Sequence, residues 1–587
     1  MRSLARIPGL MDRTWHLRAF CGLCLVNILV WVLYYGVDVL YRDEWIFWVR
    51  LLEHLDAGSL NLDALIAQHN EQRIAWTRLI GLADMHLFDL ARMPEYLLNI
   101  SLALGTFLGL AKLYSSTREK LGVKGRPGWV VAGFALLCFS TLQWANFTIG
   151  FNNQNFLPVL CVVLAMLLCT GQGPTILKIP ALLGLGVLSS FNLSSGLLYW
   201  PVALFVVLFG PGRRHVRFLA ATLVTALGVA VWVVYFTDFH KPPHHPALTD
   251  SLANPLRLAG YVFAYLGGPV SSDKNLVPLG LLLGLAAFCL FVAGAWRVRK
   301  GGRERFAALA PWLGLALFGL MCAGSTAVGR SGFGVRQALE SRYCTFANTF
   351  WYALLPVLAA ALAPAKSREK RWTHGFLCLS LAAFLLSTVL SLVIMHQFNQ
   401  RQTKGRAQIF SLTNPGDLEL IFPDPNWLMK NLPRFFARRL SVFRDVGQFQ
   451  DYRIVPENVV QAGVLEDMEI IEGKDDTVSG ALFSGTARDP SYGGPARYVL
   501  IVCRGRIIYV SGVQAVAPKP DGKDVGGRFE IFVPSSFFPN VEGVVEAYAI
   551  SRDNTRAFRL KPARVFKPDL PRPHYPPFTV DKYYYSP

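Results

Sequence analysis

The sequence predicts a polytopic α-helical membrane protein of about 11 transmembrane helices, followed by a C-terminal β domain outside the membrane. Three observations carry that prediction. Hydrophobic residues make up 52% of the 587, and the mean hydropathy is +0.34, beyond what a soluble chain of ordinary composition shows. These residues come in blocks of about 20, the length that crosses a hydrocarbon core as a helix. After about residue 454 the pattern changes to short alternating runs separated by Gly, Pro, Asn and Asp clusters, which read as strands and turns.

The first apolar block, Ala19 to Leu40, has basic flanking residues like a signal peptide. It is long, at about 22 residues, and no small-x-small cleavage site precedes Tyr41, so it reads as a retained first span. Further blocks lie near 95–114, 129–147, 156–171, 176–191, 197–210, 217–236, 277–295, 307–323, 344–363 and 375–396, several of them short or interrupted by Pro158, Pro174, Pro180 and Pro201. With eleven spans, the basic segments all fall on one side: Arg2 to Arg18, Arg118 to Arg126, Arg213 to Arg217, Arg297 to Arg305 and Lys366 to Arg371. Basic residues stay inside, so the N-terminus is expected in the cytoplasm. The other face then receives the acidic first loop, the short GFNNQN loop from Gly150 to Asn155, the loops Thr237 to Asn275 and Gly324 to Tyr343, and everything after His396.

The net charge of +19 does not point to nucleic acid, because about +15 of it lies before residue 397, mostly in short loops between apolar blocks. Of the ten cysteines, the tail holds only Cys503. The spacing gives neither a disulfide framework nor a zinc pattern.

The membrane domain is therefore read as 1–396, with 41–95 as its first extracytoplasmic loop, and 397–453 as a connector. In the connector, WLMKNLPRFFARRLSVFRD alternates Leu432, Phe435, Phe436, Leu440 and Phe443 with Lys430, Arg434, Arg438, Arg439 and Arg444. That spacing predicts a basic amphipathic helix broken at Pro433, either lying against the bilayer or packed on the bundle or the tail domain. Residues 454–587 read as a small antiparallel β-sandwich with strands near Val478, Tyr498, Arg506, Arg528, Gly543 and Arg556. It shows no catalytic constellation.

Ten of the 18 Asp and Glu residues before residue 397 fall between Asp38 and Glu95. Carboxylates are expensive in and beside a membrane, so chemistry is sought there. Asp43 and Glu44 emerge directly after the first span, with Trp45 and Trp48 expected at headgroup level. A carboxylate so placed can accept a proton from an attacking hydroxyl, and partial burial would raise its pKa into a useful range. The alternative is a solvated helix-end pair, or ion pairs with Arg42 or Arg50.

An Asp-Glu pair right after the first span, opening a long non-cytoplasmic loop of a chain with about eleven spans, resembles the GT-C superfamily of membrane glycosyltransferases. The protein O-mannosyltransferases and lipid A aminoarabinose transferases are similar in this respect. The resemblance implies a GT-C-like fold, a sugar donor on polyprenyl phosphate, inversion at the anomeric carbon, and a first-loop acid as catalytic base. It reaches Asp43 and Glu44, with Asp43 preferred. Where the aminoarabinose transferases carry Lys-Pro-Pro, this chain has QHNEQRIAW from Gln68 to Trp76.

Within that segment His69, Asn70, Glu71 and Arg73 would form a polar patch if helical, able to bind sugar hydroxyls or phosphate of donor or acceptor. An amphipathic surface helix packed through Ile74, Trp76 and Leu79 is the alternative. In VGRSGFGVRQALESRY, Arg330, Arg336 and Arg342 stand against one acid, Glu340, on the face where basic residues are scarce. Guanidinium groups grip phosphate through paired charge-assisted hydrogen bonds, so Arg342, Arg336 and then Arg330 are candidate ligands of the donor phosphate. Lipid headgroups or first-loop acids are the competing partners. Some GT-C enzymes use divalent ions, but the histidines of HKPPHHP at His240 to Pro246 match no standard site, so a divalent metal is possible but not predicted and no cofactor is certain.

The expected function is transfer of a sugar from a polyprenyl-phosphate donor to a hydroxyl of a surface glycan, lipid-linked glycan or protein. It would take place on the extracytoplasmic face of a bacterial cytoplasmic membrane, with membrane lipids as the other partner and no nucleic acid. The rivals are a polymerase or ligase of lipid-linked glycans, and a flippase or transporter of them.

Overall fold

In a computed structural model the chain is described over residues 14–123, 128–170, 174–241, 248–271, 274–363, 367–411, 415–444, 453–455, 462–471, 480–503, 506–515, 527–538, 543–553, 556–561 and 564–566. It forms two compact units. One comprises Met1–Gly36, Leu60–Ala83 and Met93–Gln397; the other comprises Val37–Ser59, Asp84–Arg92 and Phe398–Pro587. The first loop, read from sequence as one part of the membrane domain, is thus divided: its middle belongs with the helices and its two ends with the C-terminal residues.

The first unit is helical. Among the described residues of the chain, nine helical segments are long and apolar enough to cross a membrane, from Trp15–Tyr35 to Thr373–Phe410. They match nine of the eleven predicted blocks. The other two blocks form shorter apolar helices, Ile176–Ser190 and Ser194–Phe209. Many helices turn large apolar side chains outward, among them Leu23, Val30, Phe218, Val233, Trp296 and Val389. Such an apolar exterior suits lipid rather than water.

Close helix packing uses glycine. Pro255–Gly267, inside the segment predicted as a loop, is a helix packed against Val277–Lys300. The Gly280 and Gly284 positions form a GxxxG face: a Cβ on Gly284 would lie 1.9 Å from the Phe263 carbonyl oxygen, and one on Gly267 1.9 Å from that of Gly280. Only glycine permits that approach.

GFNNQN is not an exposed loop. Gly150 to Asn155 are all buried, forming a 3-10 turn, Gly150–Asn152, that leads into helix Asn153–Leu168. Irregular backbone at such depth needs internal partners. Asn99 Nδ2 donates to the carbonyls of Asn146 (2.9 Å), Gly150 (3.2 Å) and Ile149 (3.3 Å). Asn155 Nδ2 donates to Asn146 Oδ1 at 2.8 Å, and Asn146 Nδ2 donates to Thr345 Oγ1 at 2.7 Å and to the Arg342 carbonyl at 3.0 Å. The asparagines that read as a connection are the interior glue of the break.

The second unit begins with helix Asp43–Asp56, in which Glu44 to Val49, Leu51 and Leu52 are buried. Trp45 and Trp48 are 0% exposed, which corrects their expected place at the headgroups. Trp45 lies edge-on to Phe435, 5.1 Å between ring centroids. Phe435 belongs to helix Pro425–Arg438, the predicted basic amphipathic helix. Its apolar face, with Leu428, Leu432 and Phe435, is covered by protein, while Arg434 reaches Glu53 and Asp56 at 3.4 Å and Arg438 pairs with Asp56. The packed alternative therefore describes it. The helix also runs through Pro433, against the expected break. The proline removes one hydrogen bond, to the carbonyl of Met429, and burial of the residues around it outweighs that loss.

The C-terminal region is sheet, as expected. One sheet orders Gly463–Ile471, Gly480–Asp489, Gly527–Pro534 and Gln514–Ala515, with Gly494–Pro495 paired to Gly480–Asp489. The other orders Arg453–Val455, Arg556–Arg559, Gly543–Ile550, Tyr498–Cys503 and Arg506–Gly512, with Arg564–Phe566 paired to Gly543–Ile550. Among the described strands all pairings are antiparallel except Arg453–Val455 with Arg556–Arg559, and a single parallel bridge joins Val464 to Lys561. The two sheets touch through Gly480–Asp489 and Gly543–Ile550. Alternate side chains such as Phe483, Phe529, Ile531, Val545 and Ala547 are buried.

Candidate functional site

The predicted residues divide between the two units, and each unit gathers its own polar cluster.

In the second unit Asp43 and Glu44 occupy the first turn of helix Asp43–Asp56, where a carboxylate is favoured by the helix dipole. The chain enters this helix through Arg42, whose φ of 47° lies in the left-handed region. Asp43 is half-buried. Glu44 is 1% exposed, and both its oxygens are engaged: Oε1 accepts from Arg92 Nη2 at 2.6 Å and Oε2 from the Tyr41 amide at 2.8 Å. Arg92 is itself 0% exposed, and its backbone amide donates to Asp38 Oδ1 at 3.1 Å. Arg444 pairs with the other oxygen of Asp38. The partners foreseen for the acid pair were Arg42 and Arg50; the one found for Glu44 is Arg92.

Asp84 joins this cluster unpredicted. It is 5% exposed, and among the described residues neither carboxylate oxygen has a hydrogen-bond partner. Burial pushes its pKa up to about 6; Arg92 pulls it down, Glu44 and Asp38 push it further up, and Arg444 pulls it down. Three carboxylates thus face two guanidinium groups, and Asp84, the one without hydrogen bonds, holds a proton most readily. Its signal in the sequence was a lone acid in the apolar stretch LIGLADMHLF.

In the first unit His69, Asn70, Glu71 and Arg73 are not helical. Gln68–His69 and Gln72–Arg73 pair as a two-residue hairpin, turned through Asn70 with φ 51°. Asparagine tolerates that left-handed conformation, which a helix would not contain. The hairpin sends Arg73 inward, 8% exposed, where Nε donates to the Tyr235 carbonyl at 2.7 Å and Nη1 to that of Ile66 at 2.9 Å, and Nη2 bonds the Thr237 carbonyl. Tyr235 and Thr237 end the helix Arg214–Phe236, so Arg73 caps its C-terminus. His69 is buried and lies edge-on to Phe151 at 6.5 Å. Glu71 pairs with Arg330.

The three arginines are not equivalent. Arg330, at the end of helix Arg303–Arg330, and Arg342 both act electrostatically on the buried phenol of Tyr261. Tyr261 donates to Gln337 Oε1 at 3.3 Å, and Tyr265, one turn on, stacks on Tyr343 with centroids 5.4 Å apart. Arg342 lies 5.4 Å from the Tyr343 ring centroid. Arg336 is exposed and engages the 274–275 loop instead, with Nε on the Lys274 carbonyl at 3.3 Å and Nη2 on Asn275 Oδ1 at 3.1 Å. Glu340, the acid among the arginines, is taken by Lys274 at 2.6 Å. The structure therefore pairs Glu71 with Arg330 and places the Arg330 and Arg342 charges where both are felt by the Tyr261 phenol, and it leaves Arg73 to the scaffold. Tyr261 and Tyr265 went unmarked in the sequence because their segment reads as loop, whereas the helix Pro255–Gly267 sets them one turn apart.

Among the described residues no group of three His, Cys, Asp or Glu side chains is placed to hold a metal ion. His244 and His245 of HKPPHHP lie outside the described residues. No family model, curated protein or solved structure matches this chain.

Proposed function

We propose that the chain is an inverting glycosyltransferase of GT-C type, which moves a sugar from a polyprenyl phosphate to a hydroxyl on the extracytoplasmic face of a bacterial cytoplasmic membrane. The observation that carries the reading is that Arg330 and Arg342 both bear electrostatically on the buried phenol of Tyr261, with Glu71 as the counter-charge of Arg330. A departing phosphate needs positive charge held in place rather than a proton donor, and the two guanidinium groups would supply it. Arg330 is also held by Glu71.

Asp43 is the base that accepts the acceptor's proton during a single in-line displacement. Glu44 is the brace of its helix rather than a second base, because both oxygens already hold partners. Sugar hydroxyls fall to Asn70 and Glu71 at the hairpin turn. The eleven-span topology, with the N-terminus in the cytoplasm and the sheet region folded outside as a β-sandwich, belongs to this reading.

Mass analysis of lipid-linked and surface glycans tests it, in cells carrying the natural gene, Asp43→Asn or Arg342→Ala at matched protein levels. Either variant should lack one sugar and accumulate its polyprenyl-phosphate donor. Normal glycans from both would favour the ligase or flippase alternatives, which do not draw on Asp43.

A further inference from the structure

The sheet region carries a feature for which sugar transfer has no use. Pro495, Ala496, Arg497, Val513 and Arg552 line a shallow pocket of about 390 Å³, within the range of small-ligand sites. Its floor is apolar and its charged groups are both cations. Arg552 lies over the Tyr492 ring at 4.0 Å, and Arg497 over the Tyr498 ring at 5.1 Å. Stacking of this kind holds a planar guanidinium in one orientation with its outer N–H groups available.

The backbone of the pocket is fixed by a buried acid. Asp489, 1% exposed, accepts through Oδ1 from the Ser491 amide (2.9 Å) and hydroxyl (2.7 Å), and through Oδ2 from the Arg552 amide (2.8 Å). Val513 N donates to the Arg497 carbonyl at 3.2 Å, tying the second wall. Asp553, next to Arg552, accepts from Ser551 Oγ at 2.5 Å. Among the described residues neither Arg497 nor Arg552 has an ion-pair partner. Arg488 stands opposite Pro495 in the strand register and adds a third cation to this edge.

We propose that this pocket binds an anionic saccharide: a sugar ring against Pro495 and Val513, with its carboxylate or phosphate group held by Arg497 and Arg552. Two stacked guanidinium forks facing one small concavity match a planar or tetrahedral oxyanion. The apolar floor matches the C–H face of a pyranose. Binding here is independent of transfer, so it stands or falls separately from the proposed reaction.

Calorimetric titration of the full chain in uncharged detergent tests this, with tetragalacturonate, glucose 6-phosphate, neutral maltotetraose and glycerol 1-phosphate as probes. One of the two acidic sugars should bind at least tenfold tighter than maltotetraose and glycerol phosphate, and more weakly as salt rises. Arg497→Ala and Arg552→Ala should each weaken it about tenfold, and the pair about a hundredfold. Arg552→Lys should recover only part of the loss, since lysine lacks the fork. Equal binding of maltotetraose or of glycerol phosphate, full affinity in the double variant, or no binding of either acidic sugar would overturn the proposal.

Discussion

Asp84→Asn is expected to stabilise this protein at pH 8 and to leave it unchanged near pH 4. The carboxyl is buried, without hydrogen bonds among the described residues, and its pKa is raised to about 6. A group whose folded pKa is raised above its unfolded value contributes stability that is present below the unfolded pKa, near 4, and lost as pH climbs through about 6. The loss amounts to about 3 kcal/mol by pH 8, when folding must keep the anion away from water. Asparagine is close to the protonated acid in shape and never ionises. The difference between variant and natural protein should therefore open from about 0 at pH 4 to about 3 kcal/mol at pH 8. Denaturant unfolding in detergent, followed by tryptophan fluorescence at stepped pH, reads this directly. A variant less stable than the natural protein at pH 8 would refute the reasoning, since it would mean the anion is well held. Sugar transfer by the same variant carries separate information: activity retained leaves Asp43 as the base, and activity lost in a stabilised protein transfers that role to Asp84.

Other outcomes follow from the same geometry. Arg92→Met should cost about 3–5 kcal/mol by stranding buried Glu44, whereas Glu44→Gln with Arg92→Met should restore most of it, as measured in one double-mutant cycle of unfolding midpoints. Arg73→Ala should cost about 1–3 kcal/mol, chiefly through the buried Tyr235 carbonyl left without its donor, and Arg73→Lys should not rescue it; protease resistance of the detergent-solubilised protein reports both. Gly284→Ala places a Cβ 1.9 Å from the Phe263 carbonyl oxygen, so helix Pro255–Gly267 must move with its Tyr261; folded yield should fall sharply, while Gly324→Ala, in open space, should be neutral.

How much the sequence revealed depended on the range of the interactions concerned. Apolar blocks and strand runs are local patterns, and they located the long apolar helices, the amphipathic helix Pro425–Arg438 and the sheet region. Partners are not local. Glu44 meets Arg92 across 48 residues and Arg73 meets Tyr235 across 162, and no spacing rule relates them. Periodicity also misled where a tertiary contact decides the backbone. The segment at Gln68 to Arg73 turns at Asn70 into a hairpin because Arg73 must reach the end of another helix. Trp45 and Trp48 fit a membrane interface by type, yet Trp45 is covered by Phe435, nearly 400 residues away in the chain. Asp84 was visible as an acid among apolar residues, but its charge state follows from Arg92, Glu44, Asp38 and Arg444, which only the fold assembles.

The most direct test of the central claim is the mass of lipid-linked and surface glycans in cells that carry the natural gene, Asp43→Asn or Arg342→Ala. Both variants should give a glycan short by one sugar together with accumulated polyprenyl-phosphate sugar of the same mass. Unchanged glycans with no donor accumulation, at matched protein levels, would contradict it.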